Sequence, residues 1–271
     1  MHLSDKEASN LALALRQCIS LVELDLLIMY AKINKKSQNE IVQALQNCKK
    51  MQTLRIKFEL QGSKFKSDNS DEQMIALGKN IRKFKNLQNL LIWHDIIIGT
   101  EVSISLINGI SECTNLSSLN LSLIFENQLN ENDATFSQFG KLKNLKILKL
   151  LIVLNHENGR KGFPLIHQYL DQINLLEQID FCFRATIGYE YLLNFGTSLG
   201  KCSNLKYITL ILFSVNNVGY QGLKAFAYEL AQIQHLFVLN ISMGRIELQI
   251  PLKKDFIRKN KRLIKLNISL I

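Results

Sequence analysis

The stretch of this sequence that most resembles a phosphate-binding loop is Gly196-Thr-Ser-Leu-Gly200-Lys201-Cys202. Such a loop needs four residues between its glycines and a serine or threonine directly after its lysine, so that backbone amides and the lysine surround the phosphates. Here three residues separate the glycines, and a cysteine follows the lysine. The glycines also fall near the end of a predicted helix, whereas phosphates bind at helix starts. The spacing therefore does not predict a nucleotide site.

Cysteines are the next residues that could do chemistry: Cys18, Cys48, Cys113, Cys182 and Cys202. None forms a Cys-x-x-Cys pair, and their odd number argues against a disulfide framework or a zinc ribbon. All except Cys182 lie three residues before a repeated leucine position, in a slot that elsewhere holds Phe84, Leu142, Ile173, Ile233 and Asn260. This slot predicts buried cysteines that act as small hydrophobic residues. Cys182 follows a predicted strand position, and we consider it the candidate for a reactive thiol.

Other catalytic and metal-binding patterns are missing from the sequence. The five histidines are scattered and form no His-Glu-x-x-His or comparable ligand spacing. No His-Arg-Asp loop, Asp-Phe-Gly motif or glycine-rich strand pair of a protein kinase occurs. We therefore expect no metal, no cofactor and no enzymatic activity.

The charge of the chain is strongly positive, with 33 Lys and Arg against 23 Asp and Glu and a formal net charge of +10. Nucleic-acid readers usually cluster their charge and prefer arginine, whereas lysine dominates here, so we favour a compositional origin. The densest basic cluster lies at a predicted helix C-terminus, where cations complement the helix dipole. A nucleic acid or another polyanion remains the alternative partner through these residues: Lys253, Lys254, Arg258, Lys259, Lys261, Arg262 and Lys265.

Location signals are also missing. The segment Met1-His2-Leu3-Ser4-Asp5-Lys6-Glu7 is charged and has no apolar core of a signal peptide. The longest aliphatic runs, such as 150–154, are far shorter than the ~20 apolar residues that span a membrane. We therefore expect a cytoplasmic protein that does not bind membranes.

A repeated unit, Leu-x-x-Leu-x-Leu with Ile, Met or Phe as substitutes, indicates the strands and helices that would position any site. Its first residue recurs nine times, at Leu21, Met51, Leu87, Leu116, Leu145, Leu176, Leu205, Leu236 and Leu263. The steps between copies are 30, 36, 29, 29, 31, 29, 31 and 27 residues. The 36-residue step contains the polar insertion Gln61–Asp71, which we predict to be a loop.

Each repeat has two halves. The Leu-x-Leu segment alternates apolar and polar residues, which predicts a half-buried strand. Helical spacing precedes it, as in 8–18, 41–48, 74–84, 189–202 and 223–233, with a shortened helix at 136–142. Strand and helix at this period predict an α/β solenoid of about nine strand–helix repeats, with parallel strands on one side and helices on the other.

The repeat carries a family resemblance. The tract from Gly188 to Leu210, with Phe195-Gly-Thr-Ser-Leu-Gly-Lys-Cys-Ser-Asn-Leu205 at its centre, resembles the ribonuclease-inhibitor-like class of leucine-rich repeats. The helix end Lys-Cys-x-Asn-Leu is similar to large leucine-rich-repeat families of ciliates, some of which also carry a protein kinase domain. This resemblance implies a right-handed horseshoe with its parallel sheet on the concave face. It also implies a non-catalytic protein–protein interaction scaffold.

We expect a single leucine-rich-repeat domain over residues 1–271. Neither end has an obvious polar cap, although terminal repeats normally need one. Two alternatives therefore stay open: the chain is a fragment of a longer protein, or it is a divergent member of the family whose last units are frayed. The family resemblance adds a third, that the chain is the repeat region of, or derived from, a kinase-containing protein.

Two rows of strand side chains are predicted to face outward on the concave surface. The first row comprises Asp25, Arg55, Leu91, Asn120, Lys149, Asp180, Thr209, Asn240 and Asn267. The second comprises Leu27, Lys57, Trp93, Ser122, Leu151, Cys182, Ile211, Ser242 and Ser269. Apolar residues follow the second row and are predicted to face the core: Ile28, Phe58, Leu123, Ile152, Phe183 and Leu212.

Trp93, the one tryptophan of the chain, marks the part of these rows best suited to binding. Trp and Arg are typical hot spots of protein interfaces. We predict a partner site on the concave face, centred on Trp93, with these members: Arg55, Lys57, Leu91, Trp93, Lys149, Leu151 and Tyr207. Its basic and apolar mixture suits an acidic, amphipathic protein segment. The alternative is that Trp93 packs on His94 or on a neighbouring strand.

Overall fold

The fold is an α/β repeat in which strands and helices alternate along the chain. The computed structural model describes residues 4–31, 33–60, 70–125, 134–154, 166–214, 218–244 and 262–270. Most of the predicted insertion Gln61–Asp71 and the basic residues at 253–261 lie outside these ranges. The strands are β1 (Glu23–Ala31), β2 (Thr53–Leu60), β3 (Asn89–Ile98), β4 (Ser118–Phe125), β5 (Ile147–Leu154), β6 (Gln178–Thr186), β7 (Tyr207–Ser214), β8 (Val238–Met243) and β9 (Lys265–Leu270).

Helices of varied length precede the strands. The α-helices are α1 (Asp5–Gln17), α2 (Lys35–Ala44), α3 (Ser70–Ile81), α4 (Thr100–Ser111), α5 (His167–Leu170), α6 (Tyr189–Gly200) and α7 (Gly219–Leu230). Short 3-10 helices cover Leu45–Asn47 and Ala134–Lys141. The second of these confirms the shortened helix predicted at 136–142. There the rings of Phe136 and Phe139 pack edge to face at 5.4 Å, so two aromatic side chains fill the space of a longer helix.

All nine strands belong to one parallel sheet in chain order, which confirms the predicted α/β repeat. The chain divides into two compact units, Met1–Asn127 with β1–β4 and Gln128–Ile271 with β5–β9. Within each unit, residues from the same slot of successive repeats are partners. Leu54 lies beside Leu90 in the first unit, and Ile179 lies beside Ile208 in the second. A single domain over 1–271 stays a prediction.

One hydrogen-bond pattern fixes the start of each strand pair. A carbonyl just before or at the start of one strand accepts hydrogen bonds from two consecutive amides of the next repeat. In the first unit, the Gln52 carbonyl accepts from the amides of Gln88 and Asn89 at 2.8 and 3.0 Å. In the second, the Glu177 carbonyl accepts from the amides of Lys206 and Tyr207 at the same two distances. Because the pattern repeats, the strands within each unit enter the sheet at the same slot.

Burial alternates along the strands as the sequence predicted. Leu123, Ile152, Phe183 and Leu212 are all buried, while the side chains of Ile28 and Phe58 lie outside the described part of the structure. The buried face is the one that meets the helices. In the second unit, for example, the Phe181 ring of β6 stacks on the Phe195 ring of α6 at a centroid distance of 5.5 Å. The opposite face of each strand therefore points away from the helices.

The cysteine slot at the helix ends is buried in three repeats, as predicted for Cys48, Cys113 and Cys202. Two of these thiols also donate a hydrogen bond to a carbonyl near the end of the helix in the previous repeat. Cys113 Sγ lies 3.2 Å from the Ile81 carbonyl oxygen, and Cys48 Sγ lies 3.7 Å from that of Leu15. Cysteine therefore fits the slot as a small hydrophobic residue that can also satisfy a helix-end carbonyl.

The prediction was wrong for Cys18, which is exposed. For Cys48 and Cys113, the helix of the previous repeat lies against this slot. Cys18 follows α1, which is the first helix that the structure describes, so no described helix precedes it in that position. The sequence motif is the same, but the neighbour that buries it is missing from the described residues. Burial of this slot thus depends on the adjacent repeat and not on the motif.

An asparagine two residues after the cysteine slot links successive loops. Asn115 Nδ2 donates to the Lys85 carbonyl at 2.8 Å, and Asn204 Nδ2 donates to the Asn174 carbonyl at 2.7 Å. Each bond spans 30 residues and so joins one repeat to the one before it. The Asn of Cys-x-Asn-Leu, which occurs at 113–116 and at 202–205, therefore ties the loops together at the entry to the sheet.

Close contact between α3 and α4 depends on two glycines. A Cβ at Gly109 would meet the Gly78 backbone, with the carbonyl carbon 2.6 Å away, and a Cβ at Gly78 would lie 2.7 Å from the Ser105 oxygen. The obstacles are backbone atoms, which cannot rotate aside as a flexible side chain can. Any side chain at either position must push the two helices apart.

We expect Gly109→Ala to lower the free energy of unfolding by about 1–3 kcal/mol, which is the usual cost of overpacking a close contact. Alanine favours a helix over glycine by about 1 kcal/mol, so the sign tests the packing and not helix propensity. Urea denaturation of the purified protein measures the change.

The matched control is Gly200→Ala at the end of α6, where a new Cβ would find its nearest atom, the Glu229 oxygen, at an ordinary 3.4 Å. That variant should be as stable as the wild type or slightly more stable. Equal effects at the two positions would contradict the steric explanation.

Candidate functional site

The open face of the sheet consists of the strand side chains that point away from the helices. In the first unit, its second row places Leu27 beside Lys57 and Lys57 beside Trp93, on three successive strands. Both Lys57 and Trp93 are half-buried, and Leu27 is 54% exposed. Ser122 follows Trp93 in the same row but is only 1% exposed, so its predicted outward position does not make it accessible.

Lys57 and Trp93 form a cation–π contact. Lys57 Nζ lies 5.1 Å from the centroid of the indole ring, within the range in which the ring quadrupole attracts an ammonium group. At a partly exposed site such a contact is worth about 0.5–1 kcal/mol. The contact restricts the rotamers of both side chains before any partner arrives. We call Leu27, Arg55, Lys57, Leu91 and Trp93 the Trp93 patch.

Arg55 of the Trp93 patch is paired within the chain. Its Nη1 lies 2.6 Å from Glu23 Oε1 and 3.9 Å from Asp25 Oδ2, both on β1. Two carboxylates therefore face the two cations Arg55 and Lys57 on this part of the sheet. The local formal charge is balanced, although the chain as a whole carries +10. Exposed pairs such as these contribute little stability, but they hold the guanidinium in place.

The other predicted site residues belong to the second unit. Lys149 is paired with Asp180 at 2.7 Å, and the same carboxylate accepts a hydrogen bond from Gln178 at 2.8 Å. Leu151 is half-buried beside Cys182 in the second outward row. Tyr207 is 42% exposed and packs edge to face against Phe237 at 6.4 Å. Each of these residues thus presents an ordered side chain on the open face of the second unit.

Sequence reasoning missed a second exposed aromatic contact on this unit. The Arg184 guanidinium carbon lies 4.8 Å from the centroid of the Phe213 ring, and Phe213 is 41% exposed. These residues come two positions after Cys182 and Ile211, which are themselves partners on adjacent strands. Extending the outward rows by two residues would have found them. The pair adds an aromatic and a cation to the open face of the second unit.

The predicted basic cluster is described at one end only. Lys253, Lys254, Arg258, Lys259 and Lys261 lie outside the described residues. Arg262 is exposed, and its Nη1 lies 3.0 Å from Nδ1 of His235. Binding of a nucleic acid through this cluster therefore stays a prediction.

The tract that resembles a phosphate loop is part of a helix. Gly196 lies inside α6, where a Cβ would come within 2.7 Å of the Phe226 ring. Lys201 follows the helix end and approaches Asp171 at 4.0 Å. The glycine serves helix packing, and the tract offers no helix N-terminus to a phosphate, which agrees with the sequence analysis.

His167 is a buried polar group of the second unit. Its side chain packs edge to face against Tyr191 at 5.0 Å, and burial lowers the pKa of its imidazole. Among the residues that the structure describes, no three His, Cys, Asp or Glu side chains cluster as metal ligands would. His167 is therefore placed as a packed core residue.

No helix within the described ranges is long and apolar enough to cross a bilayer.

The thiols differ mainly in burial. Burial raises the pKa of Cys113 and of Cys202 to about 12, and it also raises the pKa of Cys48. For Cys182, burial raises the pKa and the nearby Arg184 charge partly opposes that effect. A raised pKa means less thiolate, which is the reactive form. The structure thus gives Cys182 no sign of an activated thiol.

We expect Ellman's reagent at mildly alkaline pH to label one thiol quickly in the folded protein, namely the exposed Cys18. Cys182 should react slowly and the buried thiols only after denaturation, when all five become accessible. Cys18→Ser should abolish the fast phase, and Cys182→Ser should preserve it. Loss of the fast phase in Cys182→Ser would instead identify Cys182 as the reactive thiol.

Comparison with known proteins gives no assignment. No family model matches this chain, and no curated protein matches it. Among solved structures, it is similar to a structural-genomics crystal structure of a Bacteroides fragilis protein, with 14% sequence identity and a TM-score of 0.42. The match covers 90% of this chain and 74% of that one. Identity and TM-score are both too low for this similarity to indicate a fold or a function.

Proposed function

We propose that this chain is a non-catalytic protein-binding scaffold of the leucine-rich-repeat type, in the ribonuclease-inhibitor-like class. Its partner binds on the open face of the sheet at the Trp93 patch. The observation that carries the proposal is the contact of Lys57 with Trp93, which holds a half-buried indole on rigid, paired strands. The nine-fold sequence motif and the parallel sheet support the family assignment.

Preorganisation is the physical advantage of this patch. Lys57 and Trp93 lie on β2 and β3, whose backbones are fixed by pairing on both sides, so little conformational entropy is lost when a partner binds. The cation–π contact and the Arg55–Glu23 ion pair restrict two further side chains. A partner therefore meets side chains that are already ordered.

Apolar contact is expected to supply most of the affinity. Arg55 is already paired with Glu23, so an acidic group of a partner must compete with a carboxylate of the chain itself. Trp93, Leu91 and the exposed Leu27 supply an apolar surface that has no such competitor. The sequence predicted a partner segment that is both acidic and amphipathic. These contacts favour an amphipathic segment more than an acidic one.

Other functions carry less support. A repeat region of, or derived from, a kinase-containing protein rests on the family resemblance alone and predicts the same binding role for this chain. Binding of a nucleic acid rests on a basic cluster that is mostly outside the described residues, and the neighbouring carboxylates of Glu23 and Asp25 offset the two cations of the Trp93 patch. We also propose a cytoplasmic location, on the sequence argument given above.

We expect Trp93→Ala to weaken a true partner by about 2 kcal/mol or more, roughly 30-fold in Kd, because a buried aromatic anchor would be lost. The experiment begins with affinity capture from the source cell on immobilised wild-type protein. Isothermal titration of each purified, captured protein against the wild type and the variant then measures the change.

The matched control is Tyr228→Ala, which removes an aromatic side chain that is 52% exposed on α7, away from the open face. It should leave both capture and Kd unchanged. Urea denaturation should show that both variants remain folded. A partner that binds Trp93→Ala as tightly as the wild type would refute this site, and unfolding of Trp93→Ala would show that the indole is a core residue.

A further inference from the structure

A groove lies between α2 and α3 in the first unit. Its volume is about 570 Å³, which is in the range of small-molecule sites. Gln43 of α2 and Gln46 of the following 3-10 helix line one side, and Lys79, Arg82 and Lys83 line the other. Every lining residue belongs to a helix or to the turn that follows it, so the groove is separate from the Trp93 patch on the strands.

Three cations meet at one end of this groove. Lys79, Arg82 and Lys83 are exposed, and their i, i+3, i+4 spacing places side chains on one face of a helix. The helical path continues past the end of α3. The Arg82 amide donates to the Gly78 carbonyl at 3.3 Å, and the Lys83 amide donates to the Asn80 carbonyl at 2.9 Å. The three side chains therefore share one surface.

Termination of α3 does not account for these cations. The Ile81 carbonyl near the helix end already accepts hydrogen bonds from the Phe84 amide at 2.9 Å and from Cys113 Sγ at 3.2 Å. Cations also complement the helix dipole, but α2 and α4, the helices on either side, have no basic residue in their last turns. The cluster is thus a particular property of α3.

Amide groups hold one of the three cations in place. Asn80 is only 6% exposed, and its Nδ2 donates to the Val42 carbonyl of α2 at 2.8 Å. Lys83 Nζ donates to Asn80 Oδ1 at 3.3 Å and to Gln46 Oε1 at 3.4 Å. An ammonium group has three N–H donors, so one remains for a ligand. Asn80 therefore joins the two helices and orients a cation at the groove.

The other two cations lack a counter-ion within the chain. Among the residues that the structure describes, neither Lys79 nor Arg82 forms an ion pair. The carboxylate that lines the groove belongs to Glu72, which is about 10 Å from Lys79 along the axis of α3 at a rise of about 1.5 Å per residue. Positive charge at this end is therefore available to an anionic ligand.

We propose that this groove binds a soluble phosphorylated compound, with its phosphate group at the end formed by Lys79, Arg82 and Lys83. A phosphate monoester carries a charge of about −1.5 to −2 at pH 7 and three acceptor oxygens, so it matches three cations better than a single carboxylate does. The planar guanidinium of Arg82 suits paired hydrogen bonds to phosphate. Because the negative end of the α3 dipole opposes an anion, one cation would not be sufficient here.

The rest of the groove fits an uncharged body that carries hydroxyl groups. Ile75 and Ala76 are half-buried and line the groove between its two ends as apolar surface. The amide of Gln43 can donate or accept a hydrogen bond, and the Glu72 carboxylate can accept hydrogen bonds from hydroxyl groups at the far end. An anionic bilayer would meet this carboxylate as well as the cations, which favours a soluble ligand over a lipid headgroup.

Isothermal titration of the full chain with inorganic pyrophosphate, at fixed ionic strength, tests the proposal. We expect saturable binding of one pyrophosphate per chain. Lys79→Gln and Arg82→Gln should each weaken binding by about threefold to tenfold, and the double variant by about tenfold or more, because each change removes a charge-assisted hydrogen bond. Both side chains are exposed, and circular dichroism verifies that the variants are folded.

The matched control is Lys85→Gln, which removes an exposed cation just beyond the groove on the same segment. It should bind pyrophosphate like the wild type. Citrate, which carries its charge on carboxylates, should bind the wild type more weakly than pyrophosphate. Trp93→Ala should bind pyrophosphate normally, so the result is independent of the proposed binding function.

Absence of saturable binding would overturn the proposal. An equal loss of affinity in Lys85→Gln would show a general attraction of anions to basic residues, and citrate binding as tight as that of pyrophosphate would refute recognition of phosphate. Vesicles of phosphatidylcholine and phosphatidic acid provide the last arm. If they sediment with the wild type and not with the double variant, the ligand is a lipid headgroup and the assignment of a soluble compound is wrong.

Discussion

In-register stacking of one parallel strand on the next is the constraint on which the rest of this structure depends. Within each unit, a single carbonyl just before a strand, such as that of Gln52 before β2, accepts hydrogen bonds from two amides of the next repeat and fixes where that repeat enters the sheet. A slip of one residue would exchange every buried side chain with an exposed one. The same slot therefore faces the core, or away from it, in every repeat, whichever side chain occupies it.

The helical layer tolerates more variation than the sheet. The described α-helices range from the 13-residue α1 to the four-residue α5, while the described strands keep six to ten residues. Local solutions compensate for this variation. Phe136 and Phe139 fill the space beside a 3-10 helix, and glycines allow α3 and α4 to approach closely. Phe195 of α6 packs against both Phe181 and Phe183. Such packing needs volume and not a particular helix length.

The open face is organised by pairs of side chains from neighbouring strands. Arg55 pairs with Glu23, Lys57 with Trp93 and Lys149 with Asp180, each pair spanning two repeats. These contacts balance much of the local charge, and aromatic and aliphatic groups share the accessible surface with the paired charges. They explain why a chain with a net charge of +10 does not present a uniformly basic face in the part that the structure describes.

Periodicity in the sequence was sufficient to predict the nine strands, the alternation of burial along them and the shortened helix at 136–142, because those features follow from the local pattern of apolar residues. Periodicity did not predict which side chains are accessible to solvent or which side chains contact one another. Cys18 shares the motif of Cys113 and yet is exposed, Ser122 lies in an outward row and yet is buried, and the contact of Arg184 with Phe213 went unnoticed. Each of these depends on residues about 30 positions away in the adjacent repeat, and only the tertiary structure brings such residues together.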